Sequence, residues 1–303
     1  MKYEENLSYD VSEPYVAVHK WLSMCAENSV LPWEYDLKNE IYPLTKKMAH
    51  ENSYVKRILA SWLGEYWEQK TTTTVNSKGG KRVIDTETED SELMQCIYLV
   101  LWGLTSKNTD QSVFNINIDA DVMTSFWAPY KSALKAKHLR DWQNNAYTKN
   151  NVRSLKELYD RCGDDAYKDI NSQFEEFAKY SHTIGNMTLV PRGFNASVHN
   201  DSQTWRVNLN NNFEKNYKVY NWNILKVENF NEYKNAFLYE HNQIEITYSA
   251  NNQSTISESD IEKITKTIPN EIESRGKDMV KILLDKLSEE GFDVSHQREL
   301  FFH

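Results

Sequence analysis

The sequence has little cysteine, glycine and proline: of its 303 residues, three are Cys, nine are Gly and six are Pro. Cys25, Cys96 and Cys162 are far apart and lie on apolar helical faces, without the spacing of a zinc site. We therefore expect buried free thiols in a reducing compartment. The few glycines form neither a phosphate loop nor a dinucleotide-binding fingerprint nor a nucleophile elbow.

Long apolar runs and positive charge are also scarce. The longest apolar run, Cys96 to Trp102, is too short to span a bilayer, and the first ten residues lack the apolar core of a signal peptide. These features predict a cytoplasmic protein without a membrane partner. The net charge of -9 argues against broad attraction to nucleic acid but leaves room for a local basic groove.

What the sequence does contain is enough apolar surface for a sizeable core, since 40% of the residues are apolar and 13% aromatic. Apolar periodicity predicts an α+β fold that is predominantly α-helical, with a small antiparallel sheet around the Gly185-Asn186 turn. We expect a helical N-terminal part over residues 1-165 and a C-terminal part over 166-303. A single continuous domain is the alternative.

Several helix boundaries follow from capping and proline signals. A first helix is predicted to start at Pro14 with Ser12 as its cap. Asp119 or Asp121 is expected to cap a helix that runs through Val122 and Phe126. Near the C-terminus, we expect Ser257 or Ser259 to cap a short helix and Pro269 to open a separate long helix that stops at Gly291.

Strand signals are shorter. Thr72 to Val75 and Lys81 to Ile84 are predicted arms of a β-hairpin, with a mobile loop as the alternative. Met187, Leu189 and Val190 indicate a buried strand that Pro191 ends. Alternating residues predict two further strands, around residues 114-118 and 244-248, and the second is expected to pair with the first or with the Met187 strand.

The candidate site lies in the run Ser181 to Val198. A ββα-metal nuclease uses a histidine as general base, an Asn that orients the histidine or the metal, and a further His, Asn or Asp as metal ligand. His182 and Asn195 are the candidate catalytic residues, and Asn186 and His199 the candidate metal ligands. Such a site would need Mg²⁺ or Mn²⁺. The structural alternative is that His182 only caps the preceding helix and the asparagines only form turns.

The chain around this run is locally basic. Between Ser181 and Lys226 there are five Lys or Arg residues and two acidic ones, an excess of three positive charges. Aromatic residues next to these basic side chains could stack on bases, although core packing explains most Trp and Tyr. The candidate nucleic-acid contacts are Arg192, Arg206, Lys215 and Lys218.

The segment His182 to Leu189 resembles the Gly-Asn signature in the C-terminal HNH-type domain of GmrSD-like modification-dependent restriction enzymes. Asn195 follows in the next loop, as an Asn does in that family, and the late element Ile272-Glu273-Ser274-Arg275 is similar to its Ile-x-x-Arg element. The run from His182 to Asn195 also resembles uncharacterised prophage-associated proteins. The resemblance covers about the last 120 residues and implies a shared fold.

The sequence departs from that family at one important point. The restriction enzymes have their catalytic histidine in an upstream His-x-x-Pro motif, and no such motif occurs in this sequence. The resemblance therefore implies a nuclease site that is lost or rebuilt around His182.

Three functions stay open. The first is a metal-dependent nuclease or a nuclease-derived nucleic-acid-associated protein in phage–host conflict. The second is a non-catalytic phage or prophage protein whose acidic surface binds a protein partner. The third is a nucleotide or small-molecule binder.

Overall fold

The fold is described by a computed structural model over residues 9-38, 53-63, 73-75, 81-83, 88-106, 117-124, 168-194, 220-239 and 257-303, with single positions at 126, 129-130 and 133. It confirms the predicted class, a mainly helical α+β fold with small antiparallel sheets. The helices are α1 (Pro14–Glu27), α2 (Tyr54–Leu63), α3 (Glu92–Trp102), α4 (Lys168–Tyr180), α5 (Phe230–Ala236), α6 (Glu258–Glu289) and α7 (Ser295–Phe302). The strands are β1 (Thr73–Val75), β2 (Lys81–Val83), β3 (Ile118–Val122) and β4 (Met187–Pro191).

Helix α6 is the longest of the described elements and runs unbroken through Pro269. The expectation of two helices divided at Pro269 was therefore wrong. Proline removes one backbone hydrogen bond of a helix, but buried Ile264, Ile268 and Ile272 continue one apolar face across it. Burial of that face outweighs the local break. The predicted cap at Ser257 is confirmed, because its hydroxyl accepts from the Asp260 N–H in a capping box.

Strands β3 and β4 pair antiparallel, with Ile118 opposite Pro191 and Val122 opposite Met187. The predicted Met187 strand is confirmed, and every residue of β4 is buried. Asp119 and Asp121 lie within β3, so the prediction that one of them caps a helix was wrong. Strand pairing with β4 satisfies the backbone that a helix start would have left open. The Asp119 carboxylate instead accepts from the Gly193 N–H at 2.9 Å.

The β-hairpin is confirmed, because β1 and β2 pair antiparallel from Thr73 opposite Val83 to Val75 opposite Lys81. Its tip lies outside the described residues, as do the strand signals at residues 114-116 and 244-248. Helix α1 begins at Pro14 as predicted, but Glu13 occupies the cap position without a side-chain hydrogen bond. The Ser12 hydroxyl donates to the Asp10 carboxylate instead.

The hydrophobic core joins both predicted parts of the chain. Side chains of α1 and α3 lie in the same buried cluster as side chains of β4 and α6. The core therefore contains residues from both predicted parts, 1-165 and 166-303. Cys25 and Cys96 are buried free thiols, as predicted, and Cys162 lies outside the described residues. In the described part of the chain, no helix is long and apolar enough to cross a membrane.

The backbone of the Gly185 turn touches the backbone of α6. A Cβ atom on Gly185 would overlap the Ile272 carbonyl oxygen, and one on Gly276 would lie 2.8 Å from the Trp33 Cβ. Glycine is needed at both positions because neither leaves room for a side chain. This close approach fixes the turn against the middle of α6.

Arg275 of α6 binds the same turn through hydrogen bonds. Its Nη1 donates to the carbonyls of Gly185 at 2.7 Å and Met187 at 2.8 Å. Its Nε and Nη2 donate to the Phe237 carbonyl at 3.1 and 2.9 Å. The side chain is only 1% exposed. One guanidinium therefore holds the turn, the start of β4 and the end of α5 together.

We expect Gly185→Ala to destabilise the protein by about 3 kcal/mol or more, because overpacking against backbone atoms cannot relax through side-chain movement. Gly291→Ala is the control. It adds the same methyl group in open space at φ +91°, so only backbone strain of roughly 1–2 kcal/mol applies. Urea unfolding of both variants measures the difference. Equal losses of stability would contradict the tight turn–helix contact.

Candidate functional site

His182 follows the end of α4 and is fixed by its backbone. The helix ends with the Ser181 hydroxyl donating to the Phe177 carbonyl at 2.8 Å. The His182 carbonyl accepts from the Leu37 N–H at 3.0 Å. His182 itself is partly buried. The ring is therefore attached to a rigid junction between the helix and the Gly185 turn.

The two ring nitrogens of His182 differ in their surroundings. Nδ1 lies 3.2 Å from the Thr88 hydroxyl oxygen. Nε2 has no hydrogen-bond partner among the described residues. The ring borders a small cavity of about 10 Å³, room for about one water molecule. Its other lining residues are Asp36, Lys38, Tyr54, Arg57, Ile58 and Ala178.

The surroundings keep His182 neutral. Burial, and then the positive charge of Lys38, lower the pKa of His182 to about 3. An imidazole with so low a pKa is a weak general base at neutral pH, because its conjugate acid gives up the proton readily. It remains a good neutral hydrogen-bond donor or acceptor.

Helix α2 brings Tyr54 and Arg57 to the same cavity. The Glu175 carboxylate of α4 caps the start of α2, accepting from the Ser53 hydroxyl at 2.9 Å and from the Tyr54 N–H. The Arg57 guanidinium lies 5.2 Å from the centroid of the Tyr54 ring, over its face. This packing holds a cationic side chain beside the cavity.

Asn186 has a well-defined structural position. Its Nδ2 donates to the carbonyls of Thr124 at 3.1 Å and Ser181 at 2.9 Å. Its Oδ1 accepts from the Thr124 N–H at 2.9 Å. The buried amide thus ties the turn to the chain after β3. Metal ligation would require Asn186 to exchange one of these bonds, so its role as a metal ligand stays a hypothesis.

The other predicted site residues are mostly outside the described part of the chain. Arg192 is described: it is exposed just after β4, and its backbone N–H donates to the Asn117 carbonyl at 3.0 Å. The described residues contain no group of three His, Cys, Asp or Glu side chains that could hold a metal ion. The predicted site residues that lie outside the described part of the chain are Asn195, His199, Arg206, Lys215 and Lys218.

Sequence analysis missed the partners of His182 at the cavity. Lys38, Arg57 and Thr88 lie about 90 residues or more before His182 in the chain, and no motif or periodicity connects them to it. Thr88 lies between acidic residues just before α3, where the sequence gives no sign of a buried side chain. Only its burial in the folded chain, with 0% exposure, reveals its contact with the ring.

We expect the fold to lose stability in acid because of His182. The unfolded ring binds a proton near pH 6.5, whereas the folded ring does so only at about pH 3. The contribution is complete above pH 6.5 and falls as the pH drops towards 3, by up to about 1.4 kcal/mol per pH unit. Urea unfolding across this range measures the slope.

His182→Gln should flatten this pH dependence, because the titrating ring is gone. The matched control is His296→Gln, which replaces an exposed histidine of α7 and should keep the slope. An unchanged slope in His182→Gln would contradict a neutral buried ring.

Comparison with protein-family models, curated proteins and solved structures gave no match to this chain. The resemblance to the HNH-type domain thus stays a hypothesis that rests on residues. Its two short elements, the Gly-Asn turn and Ile-x-x-Arg, do touch, because Arg275 donates to the Gly185 carbonyl.

Proposed function

We propose that this chain is a nuclease-derived protein that binds the phosphate backbone of a nucleic acid in phage–host conflict. The observation that carries the proposal is the His182 cavity, where a neutral imidazole lies beside the cationic side chains of Lys38 and Arg57. Asp36 lines the same cavity, so the described lining residues other than His182 carry one net positive charge. Such a set of hydrogen-bond donors is well suited to bind phosphate oxygens, which are acceptors.

A metal-dependent reaction is a weaker fit to the described residues. A divalent cation at the cavity would meet Lys38 and Arg57, whose positive charges repel it. The described residues also lack a group of three metal-ligating side chains. The prediction of Mg²⁺ or Mn²⁺ depends on Asn195 and His199, which lie outside the description. We therefore propose binding that does not depend on a metal ion.

Two further features support a nucleic-acid partner over a purely acidic interaction surface. The resemblance to restriction enzymes implies a scaffold that acts on DNA, and the contact between Arg275 and the Gly185 turn agrees with such a scaffold. The locally basic segment from Ser181 to Lys226 begins at the cavity and continues past β4. A locally basic segment can attract a phosphate backbone even when the protein as a whole carries a net negative charge.

We expect the protein to bind a fluorescent DNA duplex or single strand at low salt, with an affinity that falls as salt increases. Arg57→Gln and Lys38→Gln should each weaken binding and reduce the slope of log K against log salt by about 1, since each removes one phosphate contact. Fluorescence anisotropy over a salt series measures both quantities.

The control variant is Lys266→Gln, which removes the same charge from a side chain that is 73% exposed on α6 and not at the cavity. It should leave the salt slope unchanged. If neither duplex nor single strand binds at low salt, the proposal is wrong, and a protein partner becomes the leading alternative. Plasmid cleavage with Mg²⁺ or Mn²⁺ that His182→Ala abolishes would instead establish a nuclease.

A further inference from the structure

We propose that Thr88 is a positioning residue that fixes His182 in the tautomer with its proton on Nε2, so that the ring donates a hydrogen bond to a phosphate oxygen. The inference rests on the proposed function for its ligand, but its first half concerns the ring alone. It assigns His182 the role of a neutral donor instead of a general base.

The argument starts from the Thr88 hydroxyl. Thr88 is fully buried, and Nδ1 of His182 is the one hydrogen-bond partner of its hydroxyl among the described residues. If the hydroxyl donates to Nδ1, both the hydroxyl proton and the Nδ1 lone pair are satisfied. If Nδ1 carries the proton and donates, the hydroxyl proton is buried without an acceptor, which is strongly disfavoured.

The Thr88 hydroxyl is held on a fixed element. Thr88 opens the short 3₁₀ turn Thr88–Asp90, and its carbonyl accepts from the Ser91 N–H at 3.2 Å. Ser91 in turn caps α3 by accepting from the Met94 N–H. Because α3 is part of the hydrophobic core, the backbone that carries the hydroxyl is held in place beside the ring.

The tautomer decides what the free nitrogen can do. With the proton on Nε2, the ring nitrogen that has no partner in the described part of the chain is an N–H donor. A general base would need a lone pair there. The neighbouring charges of Lys38 and Arg57 favour an anionic acceptor. Because the cavity has room for about one water molecule, the chemistry recognised is a single phosphate oxygen that reaches the ring from outside, supplied either by a nucleic-acid backbone or by free phosphate.

The tautomer can be measured directly in the full-length protein. Long-range ¹H–¹⁵N correlation spectra of the ¹⁵N-labelled chain distinguish a protonated ring nitrogen from a bare one, and the spectrum of His182→Gln identifies the His182 signals. We expect a protonated Nε2 and a bare Nδ1. A protonated Nδ1 in the unaltered protein would overturn the inference, whether or not DNA binds.

Two variants test the part played by Thr88. Thr88→Val keeps the shape but removes the hydroxyl, so we expect the His182 signals to shift towards a mixture of tautomers. Thr88→Ser keeps the hydroxyl and should retain the Nε2-protonated form. A purely structural role of Thr88 would leave the tautomer the same in both variants, and that result would contradict the proposal.

Ligand binding is followed on the same signals. Added inorganic phosphate and a short DNA duplex should each shift the Nε2–H resonance if the ring donates to a phosphate oxygen, and a shift with DNA alone indicates the backbone as the source. A shift with phosphate but no DNA binding would refute the proposed function and leave the phosphate site in place. No shift with either ligand would refute the phosphate site.

Discussion

The buried guanidinium of Arg275 is the interaction on which the rest of the described structure depends. It binds three backbone carbonyls, those of Gly185, Met187 and Phe237, from the middle of α6. These carbonyls would otherwise be buried acceptors in a turn, a strand and a helix end. A charge buried at this depth is tolerated only when its donors are satisfied. Breaking the contact would remove these four hydrogen bonds from the buried charge and from the carbonyls.

The glycines and the buried amide extend this arrangement. Gly185 and Gly276 let the turn approach α6 closely enough for Arg275 to reach it. Asn186 then fixes the other side of the same turn to Thr124. Arg275 also acts on two buried phenols: its charge opposes the rise in the pKa of Tyr98 and Tyr233 that burial causes, while Asp121 adds to that rise. The backbone contacts of the Gly185 turn thus fix the position of His182, which directly precedes the turn.

Local signals predicted local structure well, because they depend on the chain itself. Pro14 begins a helix, Ser257 caps one, and the Thr73 and Lys81 segments form the hairpin, each for reasons contained within a few residues. The errors arose where distant packing decided the outcome. Pro269 lies inside a helix because an apolar face continues across it.

The candidate site divides in the same way. His182 was recognisable as chemically interesting because it precedes a Gly-Asn turn, and Asn186 was recognisable for the same reason. What each residue does depends on partners from other segments: Thr88 and Lys38 for the ring, Thr124 for the amide. Such pairings have no local signature, so the sequence predicts Asn186 as a metal ligand but cannot predict its hydrogen bonds to the backbone of Thr124 and Ser181.

These partners also separate two roles that a histidine at this position could have. A general base needs a lone pair facing the substrate and a pKa near the working pH. Burial and Lys38 lower the pKa of His182 to about 3, and the Thr88 hydroxyl proton requires the Nδ1 lone pair. The electrostatic and the hydrogen-bonding features are independent, yet both disfavour the base and favour a neutral donor. Under the proposed function, His182 would therefore bind a phosphate oxygen as a neutral donor and would not act as a catalytic base.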